Sequence, residues 1–218
     1  MIAIVKYNAG NIGSVTNALN RLGIENKVTD DPAELQAADK VIFPGVGEAG
    51  TAMKYLRERG LDKVLKELKQ PVLGICLGMQ LMCRHSEEGD TDCLGIFDTY
   101  VKLFRPSRTS GLGEKVPHMG WNILSSEFEV PSDVLNQSKD PDKLITHNSK
   151  LLTHLQPSDD VYYVHSYYAE LCENTVAACD YILPYSSVLQ KDNFYATQFH
   201  PEKSAGIGEQ ILKNFIEL

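Results

Sequence analysis

A cysteine set between glycines, Gly74-Ile75-Cys76-Leu77-Gly78, and a distant His200-Pro201-Glu202 are the residues of this chain best suited to chemistry. Pro71-Val72-Leu73 ahead of the cysteine is a short apolar run fit for a buried strand, and Met79-Gln80-Leu81-Met82 behind it reads as a helix. A nucleophile at such a strand-to-helix turn is lifted above the sheet edge, because small neighbours let the backbone turn sharply. The helix N-terminus beneath it favours a thiolate and offers backbone N–H groups to an oxyanion. His200 can serve as base to the thiol and Glu202 can orient His200. Cys76, His200 and Glu202 therefore form a candidate catalytic triad. A lone cysteine is more often plain core. The paired His-x-Glu, also at a strand end, reverses that weighting, since α/β sheets place their sites at the carboxyl ends of strands.

Those residues need a sheet to hold them, and the first half of the chain supplies its rhythm. Ile2 to Tyr7 is mostly apolar, and Asn8-Ala9-Gly10-Asn11 makes a polar turn. Ile12, Val15, Leu19 and Leu22 then recur at helical spacing up to Gly23. Asn26 to Thr29 is a weak strand, Asp31-Pro32 opens a short helix, and Val41-Ile42-Phe43 is a third strand ending in Pro44-Gly45-Val46-Gly47. Met53 to Leu68 is helical with a break near Gly60. Strand and helix in alternation predict an α/β fold with a largely parallel sheet covered on both faces. Residues 98–125 and 160–199 are rich in β-branched and aromatic runs and predict antiparallel or mixed strands. Ile207, Ile211, Phe215 and Leu218 share one face of a final helix. We read residues 1–218 as a single domain, with the polar, aperiodic segment 125–147 as a surface insertion.

Composition narrows the function. With 218 residues, 43% hydrophobic and 23% charged, the chain can bury one substantial core. A net charge of −8 argues against nucleic acid or an anionic membrane as the main partner. No apolar run reaches bilayer length and the first residues enter a strand pattern directly, so a cytoplasmic location is expected. Five cysteines in mixed contexts do not make a disulfide framework.

Other candidates weigh less. Pro44-Gly45-Val46-Gly47 lacks the pattern of a phosphate loop, and its plain reading is a tight turn. Its place after the third strand nonetheless makes it a candidate second wall for an oxyanion hole beside Cys76. Gly111-Leu112-Gly113 reads as a turn. Cys83, His85 and Cys93 lack a fourth ligand, so neither a metal nor a cofactor is expected. His118 is open as a core or a surface histidine, and Trp121, the one tryptophan, as an interface anchor or a core plug.

Taken in order, the strings Pro44-Gly45-Val46-Gly47, Gly74 to Gln80, Lys115-Val116-Pro117-His118-Met119-Gly120-Trp121-Asn122, Val164-His165-Ser166-Tyr167-Tyr168 and Gln198 to Ser204 span almost the whole chain. Together they resemble the glutaminase subunits of imidazole glycerol phosphate synthase, among the class I (triad) glutamine amidotransferases with a flavodoxin-like core. The Pro-His-Met-Gly-Trp-Asn and Val-His-Ser-Tyr-Tyr strings carry the subunit-level part of that resemblance. Lys6 and Asn8 depart from the acidic residue and glycine of many relatives. The resemblance implies hydrolysis of L-glutamine to glutamate and ammonia. The ammonia would pass to a separate (βα)8-barrel cyclase subunit, in a heterodimer serving the fifth step of histidine biosynthesis. It implies that Leu77 N–H and one N–H from the Gly45–Val46 turn hold the oxyanion. Gly47, Gln80, Glu88, Ser166 and Tyr167 would hold glutamine, and Asn11, His118, Trp121 and Lys203 would face the cyclase. Glycines on both sides of Val46 permit a peptide to rotate, so the isolated chain is expected to be poorly active until that turn presents its N–H. Another amidotransferase subunit would lack the Pro-His-Met-Gly-Trp string, a stand-alone thiol hydrolase would need no partner, and a non-catalytic activator would tolerate loss of Cys76.

Overall fold

The computed structural model describes residues 1–8, 10–106, 115–125, 149–156 and 158–218. The expected turn at 111–113 and all of the expected insertion except Ser125 lie outside the described residues. Strand β1 (Ile2–Val5) leads to helix α1 (Ile12–Arg21), and β2 (Asn26–Thr29), α2 (Pro32–Ala37) and β3 (Lys40–Phe43) follow. The Asp-Pro signal opens α2 by direct capping, with the Asp31 carboxylate accepting from Ala33 N at 2.8 Å and Glu34 N at 3.1 Å. Helices α3 (Ala49–Glu58) and α4 (Leu61–Glu67) part at Gly60, whose φ of 67° breaks the run. Strand β4 (Val72–Ile75) and helix α5 (Leu77–Met82) bracket Cys76. Then come β5 (His85–Ser86), β6 (Thr91–Asp92), β7 (Tyr100–Leu103), β8 (His118–Ile123), β9 (Asp160–His165) and β10 (Tyr167–Ala169). Strands β11 (Thr175–Asp180), β12 (Pro184–Lys191) and β13 (Phe194–Thr197) precede the last helix, α6 (Ala205–Glu217).

Among the described residues, one 11-stranded sheet runs β2-β1-β3-β4-β13-β12-β10-β7-β5-β6, with β11 paired to β12. Its first five strands are parallel, and from β12 onward antiparallel pairs dominate. Among the described residues, every antiparallel pair except β5–β6 lies within the β-rich second half of the chain. Strand alternation divides the core. Ala3, Val5, Val41 and Phe43 face Leu35, Met53, Leu56 and Leu65. Ile2, Ile4, Ile42 and Leu73 face Val15 and Leu19 of α1 and Ile211 and Phe215 of α6. Each fully buried Val, Leu, Ile, Met or Phe among them stabilises the fold by about 1.5–3 kcal/mol before entropy is counted. Because both faces are covered, β1, β3 and β4 are nearly continuous hydrophobic runs, as buried parallel strands are.

Strands β8 and β9 form a separate antiparallel ribbon, in register from His118↔His165 to Ile123↔Asp160. Alternation along β8 turns His118 inward and leaves Met119, Trp121 and Ile123 exposed at 62%, 48% and 51%.

Candidate active site

Parallel pairing of β4 with β13, ending at Ile75↔Thr197, brings Cys76 and the segment after Thr197 to one edge of the sheet. Cys76 N donates to Thr197 O at 2.8 Å, tying the elbow to the neighbouring strand. The cysteine backbone sits at φ 52° and ψ −106°, a strained conformation held by its surroundings. Gly78 follows so close under β3 that a Cβ there would collide with the Phe43 carbonyl. The glycine is thus a requirement of packing.

His200 and Glu202 are fully buried at their side chains and meet at 2.7 Å through Nδ1 and Oε1. A carboxylate only accepts, so Nδ1 carries the proton and Nε2 is left for exchange. Nε2 has no hydrogen-bond partner among the described residues. Burial opposes the imidazolium, but Cys76 and Glu202 outweigh it and raise the His200 pKa to about 10. Asn11, in the left-handed conformation at φ 71°, donates its side-chain amide to Glu202 Oε1. Its 3.3 Å approach to the protonated Nδ1 is a contact only. Asn11 therefore spends its amide on the carboxylate of the His–Glu pair. Burial pushes the thiols of Cys83, Cys93, Cys172 and Cys179 up, Cys93 to about 12 and Cys179 to about 11, which keeps them inert.

A cleft of ≈ 260 Å³ opens over Cys76, lined also by Val46, Gly47, Leu77, Gln80, Glu88, Pro117, Val164, His165, Ser166 and Tyr167. It gathers the residues that the sequence reading named for oxyanion and substrate, apart from Gly45, which is buried and does not line the cleft. Gln80 uses both amide hydrogens inside the protein, one to Tyr167 O at 2.9 Å and one to Gln198 Oε1 at 3.0 Å. Its carbonyl oxygen is what remains for a ligand. Burial pushes the Glu88 carboxyl up, against a hydrogen bond from Ala49 N at 2.8 Å that favours the anion.

The turn after β3 is closed on itself. Leu77 N donates to Gly45 O at 3.2 Å. In a trans peptide the carbonyl and N–H point oppositely, so Val46 N–H is directed away from the cysteine. Gly10 N holds Val46 O at 2.9 Å, and the Tyr7 hydroxyl holds Pro44 O at 2.5 Å. A Cβ on Gly45 would collide with that hydroxyl, which explains the glycine there. Lys6 and Asn8 are exposed, and Lys6 reaches Asp30 at 3.8 Å.

His118 does not reach the surface. It is stacked between Tyr163 and Tyr181 at ring separations of 4.8 and 3.9 Å, because odd and even positions of β8 face opposite ways. The expectation that it faces a partner is corrected on that ground. Trp121 and Lys203 are exposed, and Met119 and Ile123, which sequence reading passed over, share the Trp121 face. Behind the cleft a relay joins the ribbon to the site. His165 Nδ1 lies 2.8 Å from Tyr167 O, which only accepts, so that nitrogen is protonated. Burial lowers the His165 pKa to about 3 and that of His118 to about 4, so both rings are neutral. Tyr185 Oη then donates to His165 Nε2 at 3.2 Å and accepts from His118 Nδ1 at 3.1 Å. His118 Nε2 accepts from Asn122 Nδ2 at 3.4 Å. Tyr7, His165, Tyr185 and Gln198 were missed as site residues; the available signal was polar groups inside otherwise apolar strands and their ends.

Among the described residues no cluster of His, Cys, Asp or Glu could hold a metal, and no helix is long and apolar enough to cross a membrane. A nucleophilic elbow beside a His–Glu pair, at the ends of parallel strands of a mixed sheet, defines the class: the family described as glutamine amidotransferase class-I matches residues 4–218. Two solved structures share the fold. One is a glutamine amidotransferase at 17% identity and TM-score 0.63, covering 99% of this chain and 97% of that one. The other is PurLQS from Thermotoga maritima at 13% identity and TM-score 0.61, with the same coverage. Closer in sequence are imidazole glycerol phosphate synthase subunits HisH. The one from Bacteroides fragilis strain YCH46 is 57% identical and that from Bacteroides thetaiotaomicron 54%, each covering 100% of this chain and 99% of the relative. The one from Xanthomonas campestris pv. campestris strain 8004 is 43% identical over 100% of this chain and 97% of its own length. The chain belongs to the HisH family of class-I glutamine amidotransferases.

Proposed function

We propose that this chain hydrolyses L-glutamine at Cys76 and passes the ammonia to the cyclase subunit of imidazole glycerol phosphate synthase, in histidine biosynthesis. The observation that carries the reading is the alignment of Cys76 with a buried His200–Glu202 pair at the ends of adjacent parallel strands, in a HisH-family chain. Cys76, its thiol proton passed to His200 Nε2, attacks the carboxamide carbon of glutamine through sulfur. His200 Nε2 gives its proton to the departing nitrogen, the C–N bond breaks, and ammonia leaves a thioester. Water, deprotonated by the same nitrogen, then attacks the thioester; the C–S bond breaks and glutamate is released with the thiol restored. Glu202 fixes the tautomer of His200 and stabilises its cation. Gln80, Glu88 and the Ser166–Tyr167 backbone hold the amino-acid end of glutamine, with Gly47 at the rim.

The oxyanion hole is the switch in this reading. Leu77 N–H is occupied by the Gly45 carbonyl, and Val46 N–H points outward. Rotation of one peptide removes the carbonyl and turns the N–H in, so two donors become available together. One oxyanion donor is worth about 3–4 kcal/mol, roughly a hundred- to a thousand-fold in kcat. The partner is a (βα)8-barrel cyclase bound as a one-to-one heterodimer, with Trp121 and Lys203 on the docking side. A cytoplasmic location goes with that role.

Ammonia release from glutamine, measured for the chain alone, with the cyclase, and with cyclase plus its ribotide ligand, tests this. Slow release alone and a large rise in kcat in the complex are expected. Cys76→Ser is expected to abolish glutamine hydrolysis while the complex still works on supplied ammonia. Wild-type rates in Cys76→Ser would sink the triad, and equal kcat in all three states would remove the switch.

A further inference from the structure

One buried polar side chain touches the nucleophile and has no part in the triad. Gln198 is wholly enclosed, just past the end of β13, and its Nε2 lies 3.7 Å from Cys76 Sγ. That distance is within the range of an N–H donor to sulfur. The orientation of its amide is set by what surrounds it. Tyr167 O is a carbonyl and can only accept, so the Gln80 amide must present its nitrogen there. The second hydrogen of that same nitrogen goes to Gln198 Oε1 at 3.0 Å. With its oxygen claimed by Gln80, Gln198 can turn only its NH2 toward the sulfur. The chain is held from behind as well, because Tyr167 O also accepts from His165 Nδ1 at 2.8 Å. The Gln198 backbone is fixed by its own N–H to Ser187 O at 2.8 Å.

We propose that Gln198 is a further catalytic residue of this site: its amide N–H donates to the Cys76 sulfur, stabilising the thiolate and aiming it into the cleft. The inference deepens the glutaminase reading and rests on it for the identity of the electrophile, while the contact to sulfur stands apart from any substrate. His200 acts on the sulfur through charge and proton exchange. Gln198 acts as a fixed dipole that neither gains nor loses a proton. A thioester no longer carries the negative sulfur that this N–H stabilises, and the interaction returns when the C–S bond breaks.

The test is the pH profile of Cys76 alkylation by iodoacetamide in the full-length chain, read by mass spectrometry of the Cys76 peptide. Gln198→Met keeps the shape and removes the donor. It is expected to move the alkylation profile to higher pH and to slow alkylation at neutral pH about tenfold, the value of one hydrogen bond to a charged group. In the cyclase complex kcat for glutamine is expected to fall by about the same factor with KM within about twofold. Gln198→Asn, which withdraws the amide by one methylene, is expected to shift both in the same direction by less. It also serves if the methionine variant does not fold. An unchanged alkylation profile in either folded variant, or an effect confined to KM, overturns the proposal. Iodoacetamide needs neither glutamine nor partner, so a shifted profile in a chain that releases no ammonia would uphold Gln198 and reject the glutaminase reading.

Discussion

Two histidine sites lie within the same interior and have opposite electrostatics. At the sheet edge, His200 meets a buried carboxylate and a thiol, and its pKa is raised to about 10. Behind the cleft, His118 and His165 meet a phenol, amides and carbonyls, and burial brings them down to about 4 and 3. All three rings are buried, so burial alone does not decide their charge. The difference is the partner: Cys76 and, 2.7 Å from Nδ1, the Glu202 carboxylate together repay the desolvation of an imidazolium, whereas a neutral hydroxyl does not. One site is therefore built to move a proton, and the other to hold fixed tautomers in a directed chain.

The comparison breaks hardest at Glu202. Glu202→Gln takes away the charge that separates His200 from the neutral pair. Glutaminase kcat in the complex is expected to fall by about three to four orders of magnitude, yet by less than in His200→Ala. The double variant should be no worse than the worse single one, since groups acting as a unit do not add. Multiplying losses in steady-state kinetics would remove Glu202 from the triad.

Next in size is the outer face of the ribbon whose inner face carries His118. Trp121→Ala is expected to weaken cyclase binding by about 2 kcal/mol, roughly thirty-fold in Kd, as exposed aromatic anchors do. Glutamine KM in the saturated complex should be unchanged. Calorimetric titration that finds equal affinity would take Trp121 out of the interface.

Tyr185→Phe cuts the neutral relay at its centre and strands His118 Nδ1 and His165 Nε2. A buried group left unpaired costs about 1–3 kcal/mol, so Tm should fall by several degrees. A variant as stable as wild type in thermal melts would show that the relay is not a structural tie.

The smallest effect is the pH dependence of stability, where the two sites pull in opposite senses. His118 and His165 have folded pKa values below the ordinary 6.5. Their contribution is complete above about pH 6.5 and is lost as pH falls toward 4 and 3. His200 has a folded pKa above that value, so its contribution is present below about pH 6.5 and is lost as pH rises toward 10. His118→Phe should flatten the acid limb of a Tm–pH curve and leave the alkaline limb alone. A parallel shift of the whole curve would contradict the assignment.

How much could be read beforehand differs between these sites. Gly-x-Cys-x-Gly and His-x-Glu show themselves in sequence because the elbow and the His–Glu pair are local: a turn needs its glycines within a few residues, and Nδ1 needs its carboxylate two residues on. Asp31-Pro32 and Gly60 were legible for the same reason, being caps and breaks set by nearby backbone. The relay was not legible. Its members come from the β8–β9 ribbon and from β12 of the main sheet, elements far apart along the chain, and a histidine in an apolar strand reads alike whether it faces core or partner. Asn11 was likewise read as facing a partner, yet its amide is spent on Glu202, 191 residues away.

By itself the sequence determined the alternation of strand and helix, the cysteine elbow, the histidine–glutamate pair and the family, since each depends on residue type at short spacing. Only the tertiary structure decided that His118 points inward, that the Gly45 carbonyl occupies Leu77 N–H, and that Gln198 meets the sulfur. Strand register, the sense of one peptide and the direction of a buried amide are chosen by partners far along the chain. They exist only once the sheet has brought those partners within hydrogen-bonding distance.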